Sequence, residues 1–275
     1  MAKVNHPKKA YGQHFLTNTS ISRRIVQLAE PKPDDVFLEI GPGTGALTTI
    51  MADTGVRLIA VEVDQDLVAH LRNFAEPYPA LKIVQANILA HTINELLREA
   101  GVAPCPVRIL GNLPYNIATR IIQHLLEDKE SVRDMTIMVQ KEMADRLMAK
   151  PNTKAYGFLA ALVQYQASIR HGFAVAPGSF FPAPKVWSAV IQLETLSPIP
   201  CPAADYQLYV NLLKAAFAHR RKTILNNLKR SSRFQPNAVA ALQACAISAE
   251  NRAESLPVPM LIKLANCFHA LEVSR

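Results

Sequence analysis

The most chemically pointed stretch of the 275-residue chain is Asn112-Leu113-Pro114-Tyr115, an amide and a phenol separated by a leucine and a proline. Proline fixes its own φ and removes a donor, which stiffens the loop so that its carbonyls turn outward. The side-chain carbonyl of Asn112 and the backbone carbonyl of Leu113 can then each accept an N–H from an amine whose lone pair is delocalised into a ring. Two such bonds favour a pyramidal nitrogen and free the lone pair for in-line attack. Tyr115 can stack on a base drawn out of its helix or loop. No general base is needed before transfer, because an alkylated amine becomes acidic and loses its proton afterward, so positioning and desolvation carry the rate. Alkylation of the exocyclic amine of adenine is the chemistry these groups fit. For the tetrapeptide alone, the plain alternative is a strand-to-helix turn capped by Asn112.

A second constellation lies upstream. Gly41-Pro42-Gly43-Thr44-Gly45 follows an apolar run and opens a helical pattern, so missing side chains let backbone amides approach a nucleotide-like ligand. Glu62 ends the next apolar run, where ribose hydroxyls are held. These two features fit either S-adenosylmethionine or a nicotinamide dinucleotide. Glu39 favours the methyl donor: a carboxylate there suits an ammonium or sulfonium group and repels a pyrophosphate. Asn87, ending the third run, offers an acceptor for an adenine amine, although a turn residue explains it equally well.

The elements that must position these groups are short apolar runs at 36–40, 58–63, 82–87, 108–113 and 135–140, alternating with helical patterns. This predicts an α/β fold with a doubly wound, largely parallel sheet whose ligands sit at the carboxyl ends of the strands. Ile21, Ile25, Val26 and Leu28 give a helix stopped by Pro31 and Pro33. A helix over about 155–166 leads to extended runs at 167–175 and 188–194 that close the sheet as an antiparallel hairpin. The proline-rich stretch after Leu196 reads as a linker. Residues 1–197 are therefore expected to form the catalytic domain, with 1–19 as a basic amino-terminal arm carrying Lys3, Lys8 and Lys9. Residues 198–275 are expected to form a smaller all-α carboxy-terminal domain with helices at about 205–229, 236–245 and 257–272.

With 49% hydrophobic and 19% charged residues, the composition excludes a disordered chain. A net charge of +8 suits a protein that approaches phosphates. Cys105, Cys201, Cys245 and Cys267 lie far apart without a Cys-x-x-Cys pair, which suggests neither a disulfide framework nor a metal site; they read as reduced thiols. No apolar run reaches the roughly 18 residues needed to span a bilayer, and a cytoplasmic, membrane-free protein is expected.

The chain resembles the ribosomal RNA adenine dimethyltransferases, specifically the bacterial small-subunit N6,N6-dimethyltransferase (kasugamycin-sensitivity) family. The resemblance rests on an ordered series covering nearly the whole chain: Gly12-Gln-His-Phe-Leu16, 39–48, 61–64, 111–116, 140–142, 154–157, 180–190 and 219–228. It implies an S-adenosylmethionine-dependent methyltransferase (Rossmann-like) sheet that uses S-adenosyl-L-methionine, releases S-adenosyl-L-homocysteine and needs no metal. The substrate it implies is the N6 amines of two adjacent adenosines near the 3′ end of 16S rRNA, in the helix 45 loop, within an immature 30S subunit; the chain itself is expected to be monomeric.

Carried over, cofactor contacts fall on His14, Leu16, Gly41, Glu62, Asn87 and Asn112, beside Glu39 and Gly43 from the direct reading. Phe180 stacks on the target adenine opposite Tyr115, the alternative being a core aromatic at 180 or 181. His14 and Asn87 depart from the family's usual Asn and Asp, and Asn87 predicts weaker cofactor binding.

Arg220, Arg221, Lys222, Lys229, Arg230 and Arg233 crowd one predicted helix beside the apolar stripe Leu212, Leu213, Ala216, Phe217, Ile224 and Leu228. They are read as contacting RNA phosphates, against the plainer reading of a solvated face. An assembly or transcription factor, a large-subunit rRNA methyltransferase, a DNA adenine methyltransferase and a nicotinamide-dependent oxidoreductase remain as rivals. Intact Asn112 and Tyr115 weigh against a factor without chemistry. Leu113, where many monomethylating DNA enzymes carry proline, points away from those enzymes.

Overall fold

Val36-Phe37-Leu38-Glu39-Ile40 is apolar but for one carboxylate and is buried at every position, the pattern of a strand covered on both faces. In the computed structural model, which describes residues 13–273, this segment lies inside a seven-stranded sheet. The described chain begins with β1 (Phe15–Leu16) and α1 (Thr19–Ala29), then β2 (Val36–Ile40), α2 (Thr48–Ala52), β3 (Arg57–Glu62), α3 (Gln65–Ala75) and β4 (Leu81–Gln85). It continues through α4 (Ile93–Glu99), β5 (Val107–Asn112), α5 (Ala118–Glu127), β6 (Val132–Gln140), α6 (Lys141–Leu147) and α7 (Phe158–Gln164). Strands β7 (Ala167–Val175), β8 (Phe180–Phe181) and β9 (Ser188–Thr195) precede α8 (Tyr206–Ala216), α9 (Ile224–Leu228), α10 (Ala238–Ala244) and α11 (Val258–Val273).

The sheet order is β4-β3-β2-β5-β6-β9-β7. Strands β2 to β6 pair in parallel and β9 runs antiparallel to β6. Chain order reverses between β2 and β5, and a crevice opens at such a switch point beyond the carboxyl ends of the strands. Glu39 and the glycine turn lie at the end of β2, Asn112 at the end of β5. Strands β1 and β8 form a separate antiparallel pair, Phe15 opposite Phe181 and Leu16 opposite Phe180.

Local chemistry sets the helix ends. Asn18 accepts from the N–H groups of Ser20 and Ile21 at 3.1 and 3.3 Å, capping α1, and Glu30 at φ 45° closes it. Thr92 and Glu95 form a capping box on α4. The α5 helix buries Ile121, Ile122, Leu125 and Leu126 on one face.

The chain divides into two compact units. One runs to Ala144 and takes in Ser168–Thr195; the other holds Asp145–Ala167 and everything from Leu196 onward. This differs from a single break after residue 197, because α7 belongs with the carboxy-terminal helices: Ala160, Ala161 and Leu162 share a core with Leu208, Leu212 and Leu261. Tyr209, fully buried there, donates to the Ala161 carbonyl at 3.0 Å. The expected arm is also revised. Residues 15–16 form a strand and Thr19 opens a helix, while Lys3, Lys8 and Lys9 lie outside the described residues.

The helix expected over 205–229 is broken between α8 and α9. Buried Asn227 donates its amide to the carbonyls of Ala216 and His219 at 2.7 and 3.2 Å, satisfying the end of α8, and the Thr223 hydroxyl caps α9. Within the same unit the thiol of Cys245 donates to the Cys267 sulfur at 2.9 Å, a meeting that the wide sequence spacing conceals.

At Gly111, next to Asn112, two backbones pass close together: a Cβ there would lie 2.7 Å from the Ile40 carbonyl oxygen of β2. Gly111→Ala is therefore expected to destabilise the protein by about 2–3 kcal/mol, read as a lowered urea midpoint with an unchanged m-value.

Candidate active site

A cavity of about 270 Å³ occupies the switch point, near the lower end of the usual range for small-ligand sites. His14, Leu16, Glu39, Gly41, Gly43, Glu62, Asn87, Asn112, Leu113, Pro114 and Tyr115 all line it. The structure thus brings together every cofactor and catalytic-loop position inferred from the sequence except Phe180.

The two carboxylates differ in environment. Glu62 is 5% exposed and accepts the N–H groups of Val63 and Asp64 at 2.9 and 3.0 Å and of Gly43 at 3.2 Å. Burial still raises its carboxyl, though these backbone bonds oppose the rise. A carboxylate has about four acceptor sites, so these three bonds leave room for a ligand hydroxyl. Gly43 sits at φ +58°, and a Cβ there would press on the Phe15 ring at 3.0 Å; only glycine allows β1 to close on the turn and its N–H to reach Glu62. Glu39 is 1% exposed, its Oε2 has no hydrogen-bond partner, and burial holds its carboxyl up at about 8, with Thr48 opposing and Glu62 adding to the shift. An orphaned acceptor lining a cavity fits a cationic ligand group, so these residues suit the ammonium-bearing S-adenosylmethionine.

The Asn112–Tyr115 loop is braced from distant segments. Asn112 Nδ2 donates to the His14 carbonyl at 2.9 Å, which sets the orientation of the amide and makes Oδ1 its acceptor end. Leu113 N–H donates to the Met138 carbonyl. The Tyr115 hydroxyl bonds Ser188 Oγ at 2.6 Å, and burial raises the phenol further from ionisation. The His14 ring stacks on Tyr115 with centroids 5.5 Å apart, while its Nδ1 donates to the Pro182 carbonyl at 2.7 Å. Ser188 and Pro182 thus hold the loop in place; the family resemblance marks their segment, 180–190, but not these two roles, because each acts across a long sequence separation.

Two readings change. Phe180 is 4% exposed and packs in the core with Leu16, whereas Phe181 is 62% exposed. Pairing with β1 puts the side chains of Phe180 and Leu16 on one side, so Phe180 presents no face to a base here. Asn87 Oδ1 accepts from Leu89 N–H at 3.1 Å, so the turn-capping reading of this residue holds alongside its place in the cavity wall.

A family model described as ribosomal RNA adenine dimethylase matches residues 4–269. The chain belongs to the ribosomal RNA adenine dimethylase family. Curated relatives include the ribosomal RNA small subunit methyltransferase A of Hahella chejuensis, 40% identical over 96% of this chain and 94% of that protein. The protein of the same name from Hydrogenovibrio crunogenus is 38% identical over 98% of each. Among solved structures, a dimethyladenosine transferase from Plasmodium falciparum superposes with a TM-score of 0.77 at 23% identity, covering 91% of this chain and 96% of that one. The 23S rRNA methyltransferase ErmE gives 0.68 at 24% identity, covering 93% and 99%. The fold is that of these methyltransferases, as the sequence resemblance implied, and as a family member the chain is a methyltransferase of ribosomal RNA adenine.

In the second unit of this adenine dimethylase, Arg221, Lys222, Lys229 and Arg230 are exposed. Arg220 instead bonds Glu254 at 3.0 Å and the Lys154 carbonyl at 2.7 Å, and Arg233 pairs with Glu272. The basic run is a loop and its flanks rather than one helix face.

Because the Glu39 carboxyl is raised, the folded protein keeps a proton that the unfolded chain releases near 4.5. Its contribution to stability is complete below that pH and is lost as pH climbs to about 8. Glu39→Gln should therefore gain stability over the unsubstituted protein between pH 5 and 9, by on the order of 3 kcal/mol. Urea unfolding at both pH values checks this; an equal difference at each would refute it.

Proposed function

We propose that this chain transfers methyl groups from S-adenosylmethionine to the N6 amines of two adjacent adenosines near the 3′ end of 16S rRNA, in the helix 45 loop of an immature 30S subunit. The observation that carries the reading is the anchored amide of Asn112, whose acceptor end is set by the His14 carbonyl beside a Tyr115 ring held by Ser188. Relatives named small subunit methyltransferase A support the choice of subunit.

When bound, S-adenosylmethionine supplies an electrophilic methyl group. Glu39 would take the cofactor's ammonium group, Glu62 its ribose hydroxyls, and the turn at Gly41 and Gly43 its close backbone contacts. Asn112 Oδ1 and the Leu113 carbonyl then accept the two N–H bonds of the target amine, localising the nitrogen lone pair for attack. Held in this way, the nitrogen would be presented to the methyl group that the cofactor supplies, and the proton it sheds on alkylation would pass to solvent. Tyr115 stays a neutral phenol, fixed by Ser188, and offers its ring to the extruded base. Proline 114 limits the loop's freedom, so the acceptors are in place before the base arrives. Arg221, Lys222, Lys229 and Arg230 would meet backbone phosphates and position the RNA without reading sequence; Arg220, already paired, contributes less than its charge suggests.

Incubation with labelled S-adenosylmethionine and 30S particles from an unmethylated strain should yield labelled N6,N6-dimethyladenosine in digested 16S rRNA, reduced at least about 100-fold by Asn112→Ala. Particle binding without labelled adenosine would overturn the proposal. Asn87→Asp keeps an acceptor for the Leu89 N–H and adds a charge, so the melting temperature should hold while cofactor affinity rises about three- to tenfold. Equal affinity measured by calorimetry would remove any role for this residue in tuning cofactor binding.

A further inference from the structure

Between β8 and β9 the segment Phe181–Trp187 displays two aromatic rings to solvent, Phe181 at 62% and Trp187 at 52% exposure, with Val186 at 44%. An exposed apolar cluster of this kind, three large side chains within seven residues, marks a candidate binding surface. The segment is fixed. The Pro182 carbonyl accepts from His14, Pro184 is buried, the Trp187 carbonyl accepts from Lys141 N–H at 2.9 Å, and Ser188 bonds Tyr115. Each ring thus sits one residue from a group bonded to a cavity-lining residue, and Lys185, exposed between them, adds positive charge. Phe180, the ring turned into the core, is not part of this surface.

We propose that Phe181 and Trp187 form a stacking rim that holds the unpaired nucleotide next to the adenosine being methylated. The inference rests on the proposed methylation of RNA. Aromatic rings beside a lysine match the chemistry of single-stranded nucleic acid, a π-face and a phosphate per nucleotide. A flanking base needs such a platform because extruding one adenosine unstacks its neighbour, and a rigid ring restores that stacking at little entropic cost. The target base itself goes to Tyr115, so the rim acts on binding and on which base is presented rather than on the transfer step.

Trp187 is the chain's one tryptophan, so intrinsic fluorescence reports on it alone. Titration of the full chain with a short RNA hairpin bearing two adjacent loop adenosines should quench the emission by about half or more. Emission that stays unchanged while the hairpin binds would overturn the rim, as would quenching that follows protein concentration without RNA, which would mean a second copy covers it. Trp187→Leu and Phe181→Ala should each raise KM for 30S particles about five- to fiftyfold with kcat within twofold, and Trp187→Phe should restore most of the loss. Unaltered KM, or an equal fall in kcat, would also refute the rim while leaving dimethylation of the particles by the unsubstituted protein as the separate measure of the function itself.

Discussion

A buried carboxyl group with an orphaned oxygen is a standing cost to a fold, and this protein places one at the carboxyl end of its central strands. Glu39 and Glu62 lie on neighbouring parallel strands, both nearly sealed from water. Three backbone N–H groups satisfy Glu62, whereas Glu39 keeps an orphaned oxygen. Hydrogen bonds to a carboxylate stabilise its charged form, and desolvation opposes that form, so the two acids face the same cavity in different states of readiness. One acts as a finished hydrogen-bonding frame for the glycine turn. The other keeps one oxygen unsatisfied in the cavity wall, the place that the proposed cofactor ammonium would fill. The fold tolerates such a defect because burial inside a strand covered at every position raises the Glu39 carboxyl to about 8, so that it keeps its proton and no bare charge is sealed in.

The opposite wall shows how a mobile kind of structure, a loop, is made rigid from far away. His14 and Asn112 are 98 residues apart and His14 and Pro182 168 apart, yet short bonds join them. A single histidine thereby links the β1–β8 pair to the Asn112–Tyr115 loop, with its ring against Tyr115. Loops place acceptors poorly unless their rotamers are locked by neighbours. Here the backbone carbonyl of residue 14 does the locking, which explains how histidine can stand where relatives are expected to carry asparagine: the bond to Asn112 uses no side-chain atom of residue 14.

What could be read from the chain alone follows the range of the forces involved. The five parallel strands, the glycine turn and the Asn112–Tyr115 loop were legible because apolar runs, turn residues and proline act within a few positions. The contrast between Phe180 and Phe181 was not, since it depends on the register of a two-residue strand against β1. The break near residue 219 was also hidden: charge density and an apolar stripe continue through it, and the buried amide of Asn227 that stabilises it comes from the next helix. Grouping α7 with the carboxy-terminal helices depends on tertiary packing that its periodicity does not encode.

Charge on a surface is useful for binding only where it has not been neutralised already. Electrostatic affinity for a polyanion comes from releasing counterions, and a cation held by a carboxylate has fewer to displace. Arg220 and Arg233 serve the second unit's own architecture through Glu254 and Glu272, while Arg221, Lys222, Lys229 and Arg230 stand exposed. The sequence run is therefore two sets of residues, arginines paired within the second unit and cations left exposed on it. Arg220 ties the loop between α8 and α9 to Glu254 and to the Lys154 carbonyl, and under the proposed function the exposed cations would meet a phosphate backbone from that fixed frame.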